Sequence, residues 1–352
     1  MMYDGAYCHD ILTKNAKPKL SFTGENYELW REKIKEKLFE VLGLDVIAQN
    51  ACPLKFEIVE EMKMDGYLQR RVEFESEVGA SVCFYILTPD GMKAGEKRPV
   101  VITLQGHNAS GVHSSIGNAI CHERLDYDRG RGMFAVQSVK EGYVTVAIDQ
   151  RGMGERKARN TLIRRVSLDP AGGNCYFEAT TALLLGRTII GERCWDISRT
   201  IDLLSEFPEC DLDKIVITGN SGGGTASYYA ACCDERIKIS VPSCAFCTYG
   251  DSILKYFHCS CNYLPSAHKY FDMQDLACLI APRRLAIVSG KYDTAFKIEG
   301  VLRGFETVKK IYEAAGAKGN ASLTETETGH FWSVDVIWPL IKEELKKLGE
   351  EL

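Results

Sequence analysis

The sequence predicts an α/β fold, a doubly wound and mostly parallel sheet with an N-terminal helical and antiparallel-strand extension. Short apolar runs at residues 100–104, 143–148, 215–218 and 285–288 have the composition of parallel strands buried on both faces. Helix-compatible stretches separate them, and in 192–207 the residues Cys194, Ile197, Ile201 and Leu204 fall on one stripe, as in a crossover helix packed on a sheet. Strands alternating with helices give a parallel sheet. Ligands of such sheets bind beyond the carboxyl ends of the strands, so the loops after these runs are where chemistry is expected.

Taken in order, residues 1–19 are polar and broken by charges, without the apolar core of a secretory signal or membrane anchor. No stretch is long and apolar enough to span a bilayer. Residues 27–42 place Leu29, Trp30, Ile34, Leu38, Val41 and Leu42 at helical spacing, and Gly43 stops the helix, which reads as an appendage. Residues 56–87 hold two or three runs rich in Val, Phe and Tyr, punctuated by Asp65-Gly66 and Gly79, the grammar of antiparallel strands joined by tight turns. The run 322–328 is the terminal strand, and a helix-like segment closes the chain.

The formal charge of −5, with both signs interspersed, argues against a nucleic-acid partner, which needs a concentrated basic face. There are 14 cysteines, several in core-like segments, including Cys232, Cys233, Cys244 and Cys247. Together with the absence of a signal, they favour a reducing, cytoplasmic compartment. The trio His258, Cys259 and Cys261 lacks a second cysteine pair at zinc-site spacing, and His107, His113 and His122 are irregularly spaced, so no metal is expected. Self-association through the N-terminal helix and strands is compatible with the sequence, but no feature fixes it.

After the run 215–218 comes Gly219-Asn220-Ser221-Gly222-Gly223-Gly224, and then a helix-compatible stretch. This is G-x-S-x-G at a strand-to-helix junction, where glycines permit the sharp turn that exposes a serine hydroxyl. A serine needs a base, normally a histidine held by a carboxylate, and in this arrangement the order is Ser, acid, His. Of the later histidines His258, His268 and His330, only His330 follows the terminal strand. Asp293 follows the strand before it and is the expected acid. Its rival role is as a helix-start cap. Glu325 and Glu327 precede the histidine within its own strand and rank low. Oxyanion donors are expected from the backbone of Gly222 and of His107, in the turn Gln105-Gly106-His107-Asn108. In the cluster 149–155, Asp149 and Arg151 are expected to form a structural ion pair. The long insertions 157–190 and 249–270, with Tyr176, Phe177, Tyr256, Phe257 and Tyr263, are expected to wall the substrate pockets.

From about residue 56 to the end, these pieces resemble the α/β-hydrolase superfamily, in particular esterases of the acetyl xylan esterase and dienelactone hydrolase group. The resemblance rests on Leu104-Gln105-Gly106-His107-Asn108, Asp149-Gln150-Arg151-Gly152-Met153-Gly154, Gly191 to Asp196, Gly219 to Gly223, Ile280-Ala281-Pro282-Arg283-Arg284 and Gly329-His330. It implies an N-terminal helical extension over 1–55 and an α/β-hydrolase catalytic domain over 56–352. It implies the triad Ser221, Asp293 and His330, with His107 and Gly222 donating to the oxyanion, and no cofactor. The expected activity is serine-dependent hydrolysis of a carboxylic ester, removing acetyl or similarly small acyl groups from a carbohydrate or other small molecule. Gln105 stands where the group has histidine, three glycines follow Ser221 where carbohydrate deacetylases have Gln-Gly-Gly, and a serine nucleophile argues against dienelactone hydrolysis. A serine peptidase of prolyl-oligopeptidase type and a catalytically inactive binding or scaffold protein are the competing readings.

Overall fold

The computed structural model describes residues 5–24, 26–108, 110–118, 132–158 and 175–351. Its strands are β1 (Phe56–Met64), β2 (Tyr67–Glu77), β3 (Ala80–Pro89), β4 (Arg98–Leu104), β5 (Val144–Ile148), β6 (Cys210–Asn220), β7 (Ile237–Ser243), β8 (Arg284–Gly290) and β9 (Ala321–Thr326). They form one sheet in the order β1-β2-β3-β5-β4-β6-β7-β8-β9. The first three strands are antiparallel, β3 meets β5 antiparallel, and every pairing from β5 to β9 is parallel. Gly66 and Gly79 turn β1 into β2 and β2 into β3 with φ of +86° and +80°, a backbone region that favours glycine.

The helices are α1 (Tyr7–Asn15), α2 (Tyr27–Leu42), α3 (Leu44–Ala48), α4 (Val112–Ser115), α5 (Phe134–Lys140), α6 (Cys175–Leu184), α7 (Ile189–Leu203), α8 (Gly222–Cys233), α9 (Ala267–Tyr270), α10 (Ile298–Ala314) and α11 (Val334–Glu351). Both faces of the parallel sheet are covered, as the apolar runs require. Val100, Ile102, Ile215, Ile217, Leu285 and Ile287 join a core shared with α7, α8 and α10. Their alternating neighbours Val101, Val216, Ala286 and Val288 pack on the opposite side with Phe134, Trp332, Ile337, Trp338 and Ile341.

The N-terminal helix is more than an appendage. Trp30, Ile34, Leu38 and Leu42 of α2 are buried in the same core as the sheet. Full burial of each aliphatic side chain contributes about 1.5–3 kcal/mol, so α2 is bound to the body of the molecule. Its end is fixed by Gly43, with φ +72°, where a Cβ would stand 2.3 Å from the Gly186 carbonyl oxygen. Strand β7 has no counterpart among the sequence-derived runs, because Lys238 and Pro242 interrupt its apolar character.

The expected Asp149–Arg151 ion pair is not formed. Asp149 is buried and accepts the backbone N–H groups of Val112 and Glu155, and burial raises its carboxyl to about 6. Arg151 turns away to bind both Asp196 oxygens at 2.8 Å, Glu77 at 2.7 Å and Glu192 at 3.3 Å. Arg156 and Arg187 complete this network, pairing with Asp196 and with Glu77 and Glu192 respectively. Burial alone would raise the Asp196 carboxyl, but Arg151 and Arg156 outweigh it and hold it well below the ordinary range. Neutralising the hub strands buried carboxylates, so Arg151→Met is expected to lower the unfolding free energy by about 3–5 kcal/mol. Urea denaturation checks this as a lower midpoint at unchanged slope, and an unchanged midpoint would contradict it.

Candidate active site

The chain steps from β4 to β5 and then returns past β4 to β6, so the strand order reverses at β4 and a crevice is expected beyond its carboxyl end. The register Thr103↔Thr218 and Leu104↔Gly219 brings the turn after β4 beside the turn after β6. Ser221 sits in that second turn, at the N-terminus of α8, with φ 54° and ψ −123°. A serine there costs on the order of 1–3 kcal/mol and persists only where its surroundings enforce it. Two backbone bonds do so: Ser221 N–H donates to Ser243 O at 2.9 Å, and Thr225 N–H donates to Ser221 O at 2.8 Å. Ser221 Oγ has no hydrogen-bond partner among the described residues.

Each glycine around the serine answers to a specific neighbour. A Cβ on Gly219 would lie 2.4 Å, and one on Gly223 2.1 Å, from the Leu104 carbonyl oxygen. One on Gly224 would meet Ala245 and Ser243 at 2.7 Å, and one on Gly106 would meet Asn220 O at 3.0 Å. Gly222 is different, because its Cβ would enter the His107 imidazole, 2.5 Å from Cε1. With the ring in this place, no residue larger than glycine fits after the serine. The backbone N–H groups of His107 and Gly222 donate to nothing among the described residues.

Asp293 and His330 lie beyond the carboxyl ends of β8 and β9. His330 Nδ1 and Asp293 Oδ2 are 2.8 Å apart. The other carboxylate oxygen accepts the N–H groups of Ala295 at 2.8 Å and Phe296 at 2.9 Å, so Asp293 caps a turn and holds the histidine at once. Burial opposes ionisation of Asp293, but His330 and these two N–H groups outweigh it and hold the carboxyl below its ordinary range. The Phe296 ring stacks on His330 at 5.9 Å and 10°. Gly290 permits the approach of the two loops, since a Cβ there would lie 2.1 Å from Gly329 O. Ser243, bonded to Ser221, is followed by Cys244, whose Sγ lies within 4.8 Å of ligand atoms of Asp293 and His330. Burial pushes the Cys244 thiol up to about 12, so it is a neutral spacer between the serine turn and the acid–histidine pair.

The rejected alternatives are engaged elsewhere. His258 is hydrogen-bonded to Ser252 at 3.0 Å, and His268 stands 3.7 Å from Asp272. Glu327, just past β9, is exposed and pairs with Lys291, and Glu325 within β9 is exposed as well. Of the expected pocket walls, 159–174 lies outside the described residues, as does His122. Tyr176, Phe177, Phe257 and Tyr263 are exposed.

Sequence spacing missed the surroundings of the His107 side chain. Thiols do accompany this histidine: Cys175 at the start of α6, with Cys259 and Cys261 from the 249–270 segment. His258, which sequence grouped with these two cysteines, is hydrogen-bonded to Ser252 instead, and the histidine and third cysteine that stand beside them come from distant segments.

The family model described as the Abhydrolase family matches residues 6–238. A relative from Bacillus subtilis (strain 168), named "Putative hydrolase YtaP", is 26% identical over 220 residues, covering 58% of this chain and 69% of its own. A solved structure titled as a "putative acetyl xylan esterase" from Bacteroides fragilis NCTC 9343 superposes with a TM-score of 0.81 at 16% identity, covering 98% of this chain and 95% of that one. A glucuronoyl esterase from Solibacter usitatus gives 0.64 at 13% identity, over 95% and 99% of the two chains.

Proposed function

Because the chain belongs to the Abhydrolase family, we propose that it is a serine-dependent carboxylic-ester hydrolase acting through an acyl-enzyme. The observation that carries this reading is the strained Ser221 turn together with the half-buried His330 held by the buried Asp293. In the proposed mechanism His330, oriented through Nδ1 by Asp293, takes the Ser221 proton at Nε2 as the hydroxyl attacks the ester carbonyl. The backbone N–H groups of Gly222 and His107 would receive the developing oxyanion, with the N-terminus of α8 adding its positive end. The protonated histidine then releases the alcohol, and a water activated by His330 hydrolyses the acyl-enzyme. The chemistry calls for no cofactor.

The substrate class we infer is an ester of acetate or a similarly small acyl group on a carbohydrate or other small molecule. Likeness to a structure titled as an acetyl xylan esterase supports it, as does the His107 ring packed against Gly222, which narrows the space beside the nucleophile. A scaffold protein has no reason to maintain a strained serine next to an aspartate–histidine pair.

The test is hydrolysis of p-nitrophenyl acetate, butyrate and octanoate by the purified chain and its Ser221→Ala variant. Acetate turnover that exceeds octanoate turnover and disappears in the variant supports the reading. Wild-type turnover no faster than that of the variant would overturn it.

A further inference from the structure

We propose that His107, Cys175, Cys259 and Cys261 form a zinc site of Cys₃His type, set against the turn that carries the nucleophile. Their four ligand atoms all lie within 4.8 Å of one another, and His107 Nε2 is 3.2 Å from Cys261 Sγ. A tetrahedron with zinc–sulfur bonds of about 2.3 Å and a zinc–nitrogen bond of about 2.0 Å has edges of roughly 3.5–3.8 Å, so the side chains need to close in only modestly. Three thiolates and one imidazole, with no carboxylate among them, are a donor set suited to zinc.

The strongest independent sign is Arg193, which is 1% exposed. Its Nε and Nη2 donate to the Arg151 carbonyl oxygen at 3.1 and 2.7 Å, and Nη2 also reaches Cys175 Sγ at 3.2 Å. Nη1 has no hydrogen-bond partner, and no carboxylate pairs with this guanidinium among the described residues. A buried cation without a counter-anion is costly. Glu178 acts on this guanidinium only from beyond ion-pair distance, so neutral thiols would leave the charge without an anion in contact, whereas three thiolates on a divalent ion carry a net negative charge beside it. Asn262 supports the sulfur side, donating to Cys259 O at 3.2 Å and reaching Cys261 Sγ at 3.7 Å, while its Oδ1 accepts from Thr225 of α8 at 3.2 Å.

With four protein ligands the site is closed, which makes it structural. It ties together the turn after β4, the start of α6 and the 259–262 turn. His107 thereby becomes a positioning residue, because the side chain that holds the metal belongs to the backbone N–H proposed as an oxyanion donor. That consequence rests on the esterase reading, but zinc binding does not.

The experiment measures metal in the full chain, purified under reducing conditions, by inductively coupled plasma mass spectrometry. About one zinc per chain is expected. A loss of at least about tenfold is expected in a Cys259→Ser/Cys261→Ser variant, with full content in Ser221→Ala. Should the double variant not fold, cobalt exchange into the wild type decides, through thiolate-to-cobalt charge-transfer bands in the near ultraviolet and d–d bands in the visible. Wild-type protein that holds no stoichiometric metal and takes up neither zinc nor cobalt would overturn the proposal, as would a double variant that keeps its zinc. Zinc retained in Ser221→Ala alongside absent esterase activity in the wild type would separate failure of the esterase reading from failure of this one.

Discussion

Ser221→Ala is expected to lower kcat for p-nitrophenyl acetate by at least about 10³-fold while KM stays within a few-fold. The hydroxyl supplies the bond that forms in the acyl-enzyme, so its removal takes away a contribution made only in the transition state. Oxyanion donors and the binding surface remain, which leaves a small residual rate. The fold should tolerate the change. Alanine at φ 54° meets the same backbone strain as serine, and the bonds that hold the turn, Ser221 N–H to Ser243 O and Thr225 N–H to Ser221 O, belong to the main chain. A loss of kcat with unchanged thermal unfolding is therefore the expected pattern. A variant that retains most of its activity would remove Ser221 from the chemistry.

Asp293→Asn is expected to cost about 10³–10⁴-fold in kcat, through the proton on His330. One oxygen of Asp293 accepts from both Ala295 and Phe296, so an asparagine there must turn its carbonyl toward those N–H groups. Its NH₂ then faces His330 Nδ1, which can only accept. The imidazole proton is forced to Nε2, the atom that has to receive the serine proton. Packing around the residue is nearly unchanged, so the loss should appear in kcat with thermal unfolding little affected. Activity within tenfold of wild type would mean that the carboxylate does not set the histidine tautomer.

The features that were legible in the sequence are those governed by local rules. Gly43 ends α2 because no side chain fits under the Gly186 carbonyl, and Asp65-Gly66 turns β1 into β2 through a positive φ. Strand ends followed by Gly219-Asn220-Ser221, Asp293 and Gly329-His330 could be ordered along the chain because parallel strands deliver their loops to one edge. Asp293 shows the limit of choosing between local and functional roles, since a carboxylate has two oxygens and here serves both. What was not legible depends on contacts between distant segments. Arg151 bypasses Asp149, two residues away, because Glu77, Glu192 and Asp196 converge on it from β2 and α7. Cys175 and His107 share neither a motif nor a periodicity with Cys259 and Cys261, and only folding brings them together. The three glycines after Ser221 looked like a departure from the deacetylase pattern, and the His107 ring at Gly222 gives the first of them its steric reason.

The most direct test of the central claim, that Ser221 is an activated nucleophile, is to treat the native chain with a fluorophosphonate and map the adduct by peptide mass spectrometry. The account predicts stoichiometric modification of Ser221, loss of esterase activity in step with labelling, and strongly slowed labelling in Asp293→Asn. Labelling confined to another residue, or full esterase activity in a chain whose Ser221 is completely modified, would contradict it.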